Sequence, residues 1–148
     1  MGLYRAETYR VEDSVGYLVT RVRASIFAAV DAELADWGIS AAQGSILVYI
    51  GHGRGDRAAD IARDYDYDTG SMTRMVARLS AKRLLRRVPD ENDRRVVRLD
   101  LTAAGRKLTE QMAAVAAKVL NQHLRGFSRA ELEQLKALLH RMLDSARG

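Results

Sequence analysis

Basic side chains are concentrated between residues 74 and 98 of this 148-residue sequence. Nine basic residues there stand against three acidic ones, a net charge of +6, whereas the whole chain carries +5. The nine are Arg74, Arg78, Lys82, Arg83, Arg86, Arg87, Arg94, Arg95 and Arg98. Positive charge gathered in one element, rather than spread over the surface, is typical of a protein that binds a polyanion.

The first part of this stretch has the pattern of an amphipathic helix over about residues 69–83. Met72, Val76 and Leu79 fall within one arc of the helix, and the stem of Arg83 can lie along the same apolar surface. The side chains that could contact DNA lie outside that arc. They are Ser71, Thr73, Arg74, Arg78 and Lys82. Such a helix fits the major groove, where Arg can pair with guanine and Ser or Thr can contact bases or phosphates. The alternative is an ordinary solvated helix surface.

The second part is predicted to form a β-hairpin over about residues 86–101. Residues 86–88 and 95–101 have the character of two strands, and residues 89–94 form a turn rich in Asp and Asn. In the returning strand, Val97, Leu99 and Leu101 share one face, so that face can rest on a core while the other meets solvent or DNA.

The tip of the predicted hairpin carries Arg94 and Arg95. An arginine at the end of a narrow hairpin can enter the minor groove, which is too narrow for a helix but attracts a guanidinium. We include Arg87, on the first strand, in the same DNA-binding surface. Asp93 would repel phosphate, so we assign it to orienting a neighbouring arginine.

These features resemble the MarR (multiple antibiotic resistance regulator) family of winged helix-turn-helix transcription factors. Residues 57–108 carry the resemblance, with a D-x-R motif at Asp93 and Arg95, an L-x-L-T ending at residues 99–102, and Gly105. The chain departs from the family at Arg83, where glycine is common and favours a left-handed helix end.

The resemblance implies a mainly α fold with a small β-hairpin, as one domain over residues 1–148. Within it, residues 40–101 would form the winged helix-turn-helix lobe, with the recognition helix at about 69–83 and the wing at about 86–101. Residues 1–37 and 102–148 would supply dimerisation helices. The sequence independently favours a second subunit, because the helix after Thr102 is apolar over a wider face than its own chain can cover.

Helix starts are marked by residues that cap helices. Asp13 or Ser14 can cap the first long helix, Asp68 the recognition helix and Thr102 the long helix after the hairpin. Capping boxes are predicted where Ser40 is followed by Gln43 and Ser128 by Glu131.

Several functions are excluded or disfavoured by composition. The chain has no Cys, which excludes disulfides, thiolate zinc sites and a cysteine oxidation switch. Its three His show no metal-binding or catalytic spacing, so we expect neither an enzyme nor a metal or other cofactor. There is no apolar run of about 18 residues and no secretory signal in residues 1–11, so we expect a cytoplasmic protein without membrane contact.

A small-molecule site is implied by the resemblance. The family has a cleft for aromatic acids between its dimerisation helices and its DNA-binding lobe. His52, next to Tyr49 at the end of the second helix, could line such a cleft, and Arg23 on the first helix could contact a ligand or a partner chain. We therefore assign Arg23, Tyr49 and His52 to a possible effector site.

The sequence as a whole predicts a transcription regulator, most simply a homodimeric repressor of a pseudo-palindromic double-stranded DNA site, released by a small aromatic acid. Two alternatives stay open. A sequence-indifferent architectural protein would bind random and genomic DNA equally, and a helical protein-interaction module would show no salt-sensitive DNA binding.

Overall fold

The computed structural model describes residues 2–147 as six α-helices and one β-hairpin. The elements are α1 (Val15–Leu34), α2 (Ala41–Gly51), α3 (Ala58–Tyr65), α4 (Thr69–Ala81), β1 (Leu85–Pro89), β2 (Val97–Leu101), α5 (Ala103–His123) and α6 (Arg129–Ser145). Short 3₁₀ turns precede and follow α1. The predicted fold class, mainly helical with a small hairpin, is confirmed.

The long helices begin at the predicted side-chain caps. Ser14 accepts a hydrogen bond from the backbone of Tyr17, and Thr102 accepts one from Gly105. Complete capping boxes are present at Ser40 and at Ser128. Each such cap contributes about 1 kcal/mol by satisfying an amide that the helix leaves without a partner.

The core lies where α2, α3 and α4 meet the hairpin, the end of α1 and the start of α5. Its largest fully buried side chains are Leu34, Ile46, Leu47, Ile61, Met72 and Leu79. A Cβ on Gly105 would collide with the carbonyl oxygen of Leu84. Glycine at this position therefore lets α5 approach the start of the wing closely enough to fix it to the core.

The two strands pair antiparallel, with Leu85 opposite Leu101 and Pro89 opposite Val97. β1 is two residues longer than predicted and β2 is two residues shorter, and the turn between them runs from residue 90 to residue 96. Leu99 and Leu101 are buried, as the alternation predicted, but Val97 is 47% exposed. The hairpin therefore rests on the core near its base, while its outer end projects into solvent.

The recognition helix ends two residues earlier than predicted. Arg83 lies beyond it in the left-handed region, with φ of 57°, and its side chain is exposed rather than packed along the apolar arc. The amides of Arg83 and Leu84 donate to Ser80 and Leu79 at 2.9 and 3.0 Å, which is a Schellman ending. The tight left-handed end therefore forms here with an arginine in place of glycine, and these bonds offset the unfavourable backbone conformation.

The outer helices leave a large apolar surface in water. No residue of α6 is buried, and its Leu138, Leu139, Met142 and Leu143 are 40–60% exposed. The start of α1 exposes Val15, Leu18, Val19 and Val22 in the same way. None of the helices within residues 2–147 combines the length and apolar character needed to cross a bilayer.

Candidate nucleic-acid interface

The outward face of α4 presents two arginines, Arg74 and Arg78, to solvent. Arg74 and Arg78 are exposed, and neither forms a salt bridge with any residue in 2–147. Met72, Val76 and Leu79 on the opposite face are buried. The burial pattern therefore fixes the rotation of α4 about its axis and leaves both guanidinium groups able to reach a ligand.

Hydrogen bonds at the start of α4 connect Asp68, Ser71 and Arg74. The Ser71 amide and hydroxyl donate to the two carboxylate oxygens of Asp68 at 2.8 and 2.6 Å. Arg74 in turn donates through Nη2 to the Ser71 hydroxyl oxygen at 3.2 Å. The hydrogen bonds from Ser71 hold the pKa of Asp68 below its usual value. Ser71 is thus placed where it orients Arg74 as well as facing outward.

Thr73 and Arg87 lie on two sides of one recess between α4 and the wing. The recess has a volume of about 180 Å³ and is otherwise lined by Ala58, Val76, Val97 and Leu99. Thr73 is exposed, although its hydroxyl donates to the Thr69 carbonyl at 2.8 Å. The structure thus brings together these two residues, which the sequence assigned to different elements.

Lys82 is placed differently from the two arginines of α4. Its ammonium group lies about 3.0 Å from where a Cβ on Gly38 would be. It lines an open groove with Trp37, Lys107 and Leu108. Lys82 was predicted to contact DNA, but its side chain is turned toward the segment that links α1 to α2.

At the wing tip, Arg94 is exposed without a salt bridge among the described residues, whereas Arg95 is paired with Asp93. Arg95 donates through its backbone amide and Nε to Asp93 Oδ1, and through Nη2 to Oδ2. These bonds keep the pKa of Asp93 below its usual value. The Arg95 side chain is 91% exposed even so, and these bonds limit the directions in which it can extend from the turn.

The turn end of the wing contains a charged cluster that sequence reasoning missed. Arg98 donates through Nη1 to Asp56 Oδ2 at 2.7 Å and through Nε to Asp90 Oδ2. Asp90 is only 6% exposed and also accepts hydrogen bonds from the amides of Asn92 and Asp93. The hydrogen bonds from Arg98 and from these two amides lower the pKa of Asp90 to about 2. The hydrogen bonds that Arg98 donates to Asp56 and Asp90 raise the pKa of its guanidinium.

Of the nine basic residues between positions 74 and 98, Arg86 and Arg98 are therefore, like Arg95, paired with carboxylates of the protein. Arg98 is held by the two carboxylates just described. Arg86 donates to Asp100 at 2.6 Å, and Arg106 contacts the other oxygen of the same carboxylate. Cross-strand and loop contacts neutralise these side chains, and neighbours in sequence do not reveal such pairings.

An apolar cavity of about 290 Å³ lies between α1, α2 and α5. Its aromatic walls are Phe27 and Tyr65, and its few polar groups include His52 and Ser45. Arg23 stacks over the ring of Phe27, with 4.3 Å between its guanidinium carbon and the ring centre. Of the three residues assigned to an effector site, His52 lines the cavity and Arg23 lies next to its wall.

Tyr49, the third of these residues, is not part of the cavity lining. It is 2% exposed, and its hydroxyl donates to Asp64 Oδ2 at 2.6 Å. That hydrogen bond raises the pKa of Tyr49 and lowers that of Asp64. Tyr49 instead joins the end of α2 to α3, and its ring meets Tyr65 edge-on.

Comparisons with known proteins place the chain beside one group of DNA-binding regulators. The MarR family model matches residues 37–96. The multiple antibiotic resistance protein MarR of Escherichia coli is 28% identical over 130 residues, which are 87% of this chain and 90% of that protein.

Two solved structures of other regulators are also similar to this chain. The structure of MepR from S. aureus in complex with DNA has a TM-score of 0.78 and 27% identity, covering 89% of this chain and 98% of that one. BpsR of Bordetella bronchiseptica, whose DNA binding is regulated by 6-hydroxynicotinic acid, has a TM-score of 0.80 and 28% identity over 92% of this chain and 97% of that one.

Proposed function

We propose that this chain, whose residues 37–96 match the MarR family model, is a homodimeric, sequence-specific repressor of transcription that a small aromatic acid releases from DNA. Members of this family regulate transcription and are not enzymes. In this proposal, residues 40–101 form the DNA-binding lobe, residues 1–37 and 102–148 pair two subunits, and the protein works in the cytoplasm.

The observation that supports sequence-specific DNA binding most directly is the pair of exposed arginines on α4 that form no salt bridge with any residue in 2–147. Arg74 and Arg78 would face the major groove, where an arginine can donate two hydrogen bonds to guanine. Arg95, directed by Asp93, would reach the flanking minor groove from the wing tip. The MepR complex with DNA supports this use of the fold.

The exposed apolar faces of α1 and α6 support pairing with a second copy. Burial of side chains such as Leu138 and Leu143 at a dimer interface would stabilise the dimer by about 25 cal/mol for each Å² of apolar surface removed from water. A two-fold pair would present two copies of α4, and the operator would therefore be a pseudo-palindrome with half-sites about 34–36 Å apart.

The cavity between α1, α2 and α5 supports control by a ligand. Its apolar walls suit an aromatic ring, while His52 and Ser45 offer polar groups for a carboxylate or hydroxyl. The regulation of BpsR by 6-hydroxynicotinic acid favours the same chemical class. To release DNA, the acid must bind more tightly to a dimer whose two lobes are wrongly spaced than to the DNA-binding form.

Selection of bound fragments from a random DNA pool tests the function. We expect enrichment of a two-fold symmetric sequence that the protein then binds at least a hundredfold more tightly than its scrambled version. If each subunit neutralises ~4 phosphates, the log–log salt slope will be about −7. Equal affinity for selected and scrambled DNA would instead support an architectural protein, and binding without salt dependence would contradict both forms of DNA binding.

A further inference from the structure

The wing is attached to the helical part of the lobe by a cluster that lies beneath the proposed DNA-binding tip. Asp56 lies in the segment between α2 and α3, and its carboxylate contacts Arg98 on β2 at 2.7 Å. Its carbonyl oxygen also accepts a hydrogen bond from the Leu99 amide at 2.6 Å. Asp56 therefore holds two successive residues of β2, one through its side chain and one through its backbone.

Contacts continue from Arg98 toward the tip of the wing. Arg98 binds Asp90, whose other carboxylate oxygen accepts hydrogen bonds from the amides of Asn92 and Asp93 at 2.8 and 3.0 Å. Asp93 is the residue that directs Arg95. An unbroken series of polar contacts thus joins Asp56, in the helical part of the lobe, to the arginine that projects from the wing.

The charge balance of the cluster argues against a phosphate contact by Arg98. Two carboxylates, those of Asp56 and Asp90, face this one guanidinium, and its side chain is 42% exposed. Arg87 and Arg94, by contrast, form no salt bridge with any residue of 2–147. A phosphate approaching Arg98 would meet a local net negative charge, whereas one approaching Arg87 or Arg94 would not.

Burial makes this cluster different from an ordinary surface ion pair. Exposed pairs contribute little because water screens them. Asp90 is 6% exposed, and all of its described hydrogen-bond partners belong to the wing itself. Removing Arg98 would leave that carboxylate without its cationic partner, so the turn would have to rearrange to hydrate it.

We propose that Arg98 is a positioning residue for DNA binding, which fixes the wing by bridging Asp56 to Asp90 and acts on DNA through Arg95 rather than by touching it. This inference rests on the proposed function. It assigns Asp56, an acidic residue, a favourable role in binding a polyanion, which is the opposite of what its charge alone predicts.

The first test compares Asp56→Ala with Glu91→Ala, using fluorescence anisotropy on the selected operator. Both substitutions remove one negative charge from the DNA-binding lobe, and Glu91 is exposed on the turn without a salt bridge among the described residues. Charge alone predicts tighter binding in both variants. We expect Glu91→Ala to bind equally or more tightly and Asp56→Ala to bind about tenfold more weakly, a loss of about 1.4 kcal/mol.

The second test is a double-mutant cycle between Arg98→Gln and Arg95→Ala. If Arg98 acts through Arg95, Arg98→Gln weakens binding about tenfold in the wild-type background and by less than about twofold once Arg95 is alanine. A general loss of folding would lower affinity by the same factor in both backgrounds. Thermal unfolding of each variant checks that the folded fraction at the assay temperature is unchanged.

The outcomes separate the inference from the function on which it rests. Failure of the wild type to bind any duplex would overturn both. Normal wild-type binding with Asp56→Ala as tight as Glu91→Ala would overturn the inference alone. The inference would also be overturned if Arg98→Gln lowered DNA affinity by the same factor in the two backgrounds and made the dependence of affinity on salt shallower. That pattern indicates a direct phosphate contact.

Discussion

Asp93 holds Arg95 from both carboxylate oxygens, at 3.1 Å from Nε and 3.3 Å from Nη2, while the guanidinium stays 91% exposed. A pair so open to water contributes little to folding stability. Its geometry instead limits the directions in which the arginine can extend from the turn. The pairing is therefore better explained by what Arg95 meets outside the protein.

Arg95→Ala is expected to weaken operator binding about tenfold while the dimer stays intact, because a wing contact in the minor groove is lost. Fluorescence anisotropy measures the affinity, and gel filtration the assembly. Arg125→Ala, which removes the same charge at the exposed turn after α5, serves as control and should change binding much less. Equal effects of the two substitutions would show that only overall charge matters.

Arg74→Ala or Arg78→Ala is expected to reduce the preference for operator over scrambled DNA. One arginine pairing with a base contributes about 1–3 kcal/mol, or roughly 5- to 150-fold in affinity. Titrations of both DNAs at one salt concentration give the ratio. If either variant loses the same factor on both DNAs, that arginine binds the backbone rather than a base.

Arg83→Gly is expected to stabilise the folded protein by about 0.5–1 kcal/mol, since glycine adopts the left-handed φ of 57° without steric cost. Urea denaturation of wild type and variant measures the change. Arg83→Ala is the matched control: it removes the same side chain but keeps a Cβ, so it should give no such gain. A similar rise in the free energy of unfolding of both variants would show that removal of the arginine's charge, rather than the backbone conformation, causes the effect.

Asp90→Asn is expected to destabilise the protein in a way that depends on pH. The folded pKa of Asp90 is about 2, below its ordinary 3.8, because Arg98 and two amides stabilise the charged form. The carboxylate therefore contributes stability that is fully present above pH 3.8 and is lost as pH falls through about 2. Urea denaturation at several pH values should show a constant gap between wild type and variant that narrows over this range.

Ala113→Leu is expected to weaken the binding of aromatic carboxylates without weakening operator binding. The added carbons would occupy part of the cavity of about 290 Å³ that Ala113 lines. Calorimetry with a panel of such acids measures the first effect and anisotropy the second. If no acid gives a heat of binding with the wild type, aromatic acids are not the ligands. If the heat of binding is unchanged in the variant, the ligand site lies elsewhere.

Local patterns in the sequence were enough to predict the caps and the buried face of α4. Ser40 with Gln43 and Ser128 with Glu131 lie three residues apart, so the hydrogen bonds are set by the chain itself. Met72, Val76 and Leu79 are likewise fixed by helical spacing. Short-range interactions of this kind leave a regular signal in the residue order.

Interactions between distant residues could not be predicted in the same way. Asp56 and Arg98 are 42 positions apart, and only the packed lobe brings them together. For this reason the sequence could not show that Arg98 is neutralised, or that Tyr49 turns away from the cavity to Asp64. Arg83 differs again, because the hydrogen bonds from the Arg83 and Leu84 amides back to α4 go with a left-handed backbone conformation that arginine disfavours.

The apolar residues that α6 leaves in water, Leu138 and Leu143 among them, have a consequence for dosage. If two subunits must associate before they bind DNA, the amount of active protein at low abundance grows with the square of the number of chains. A promoter under this control would switch over a narrower range of regulator level than one that a single chain could occupy. Halving the synthesis of the protein would then lower the occupancy of its DNA site by more than half.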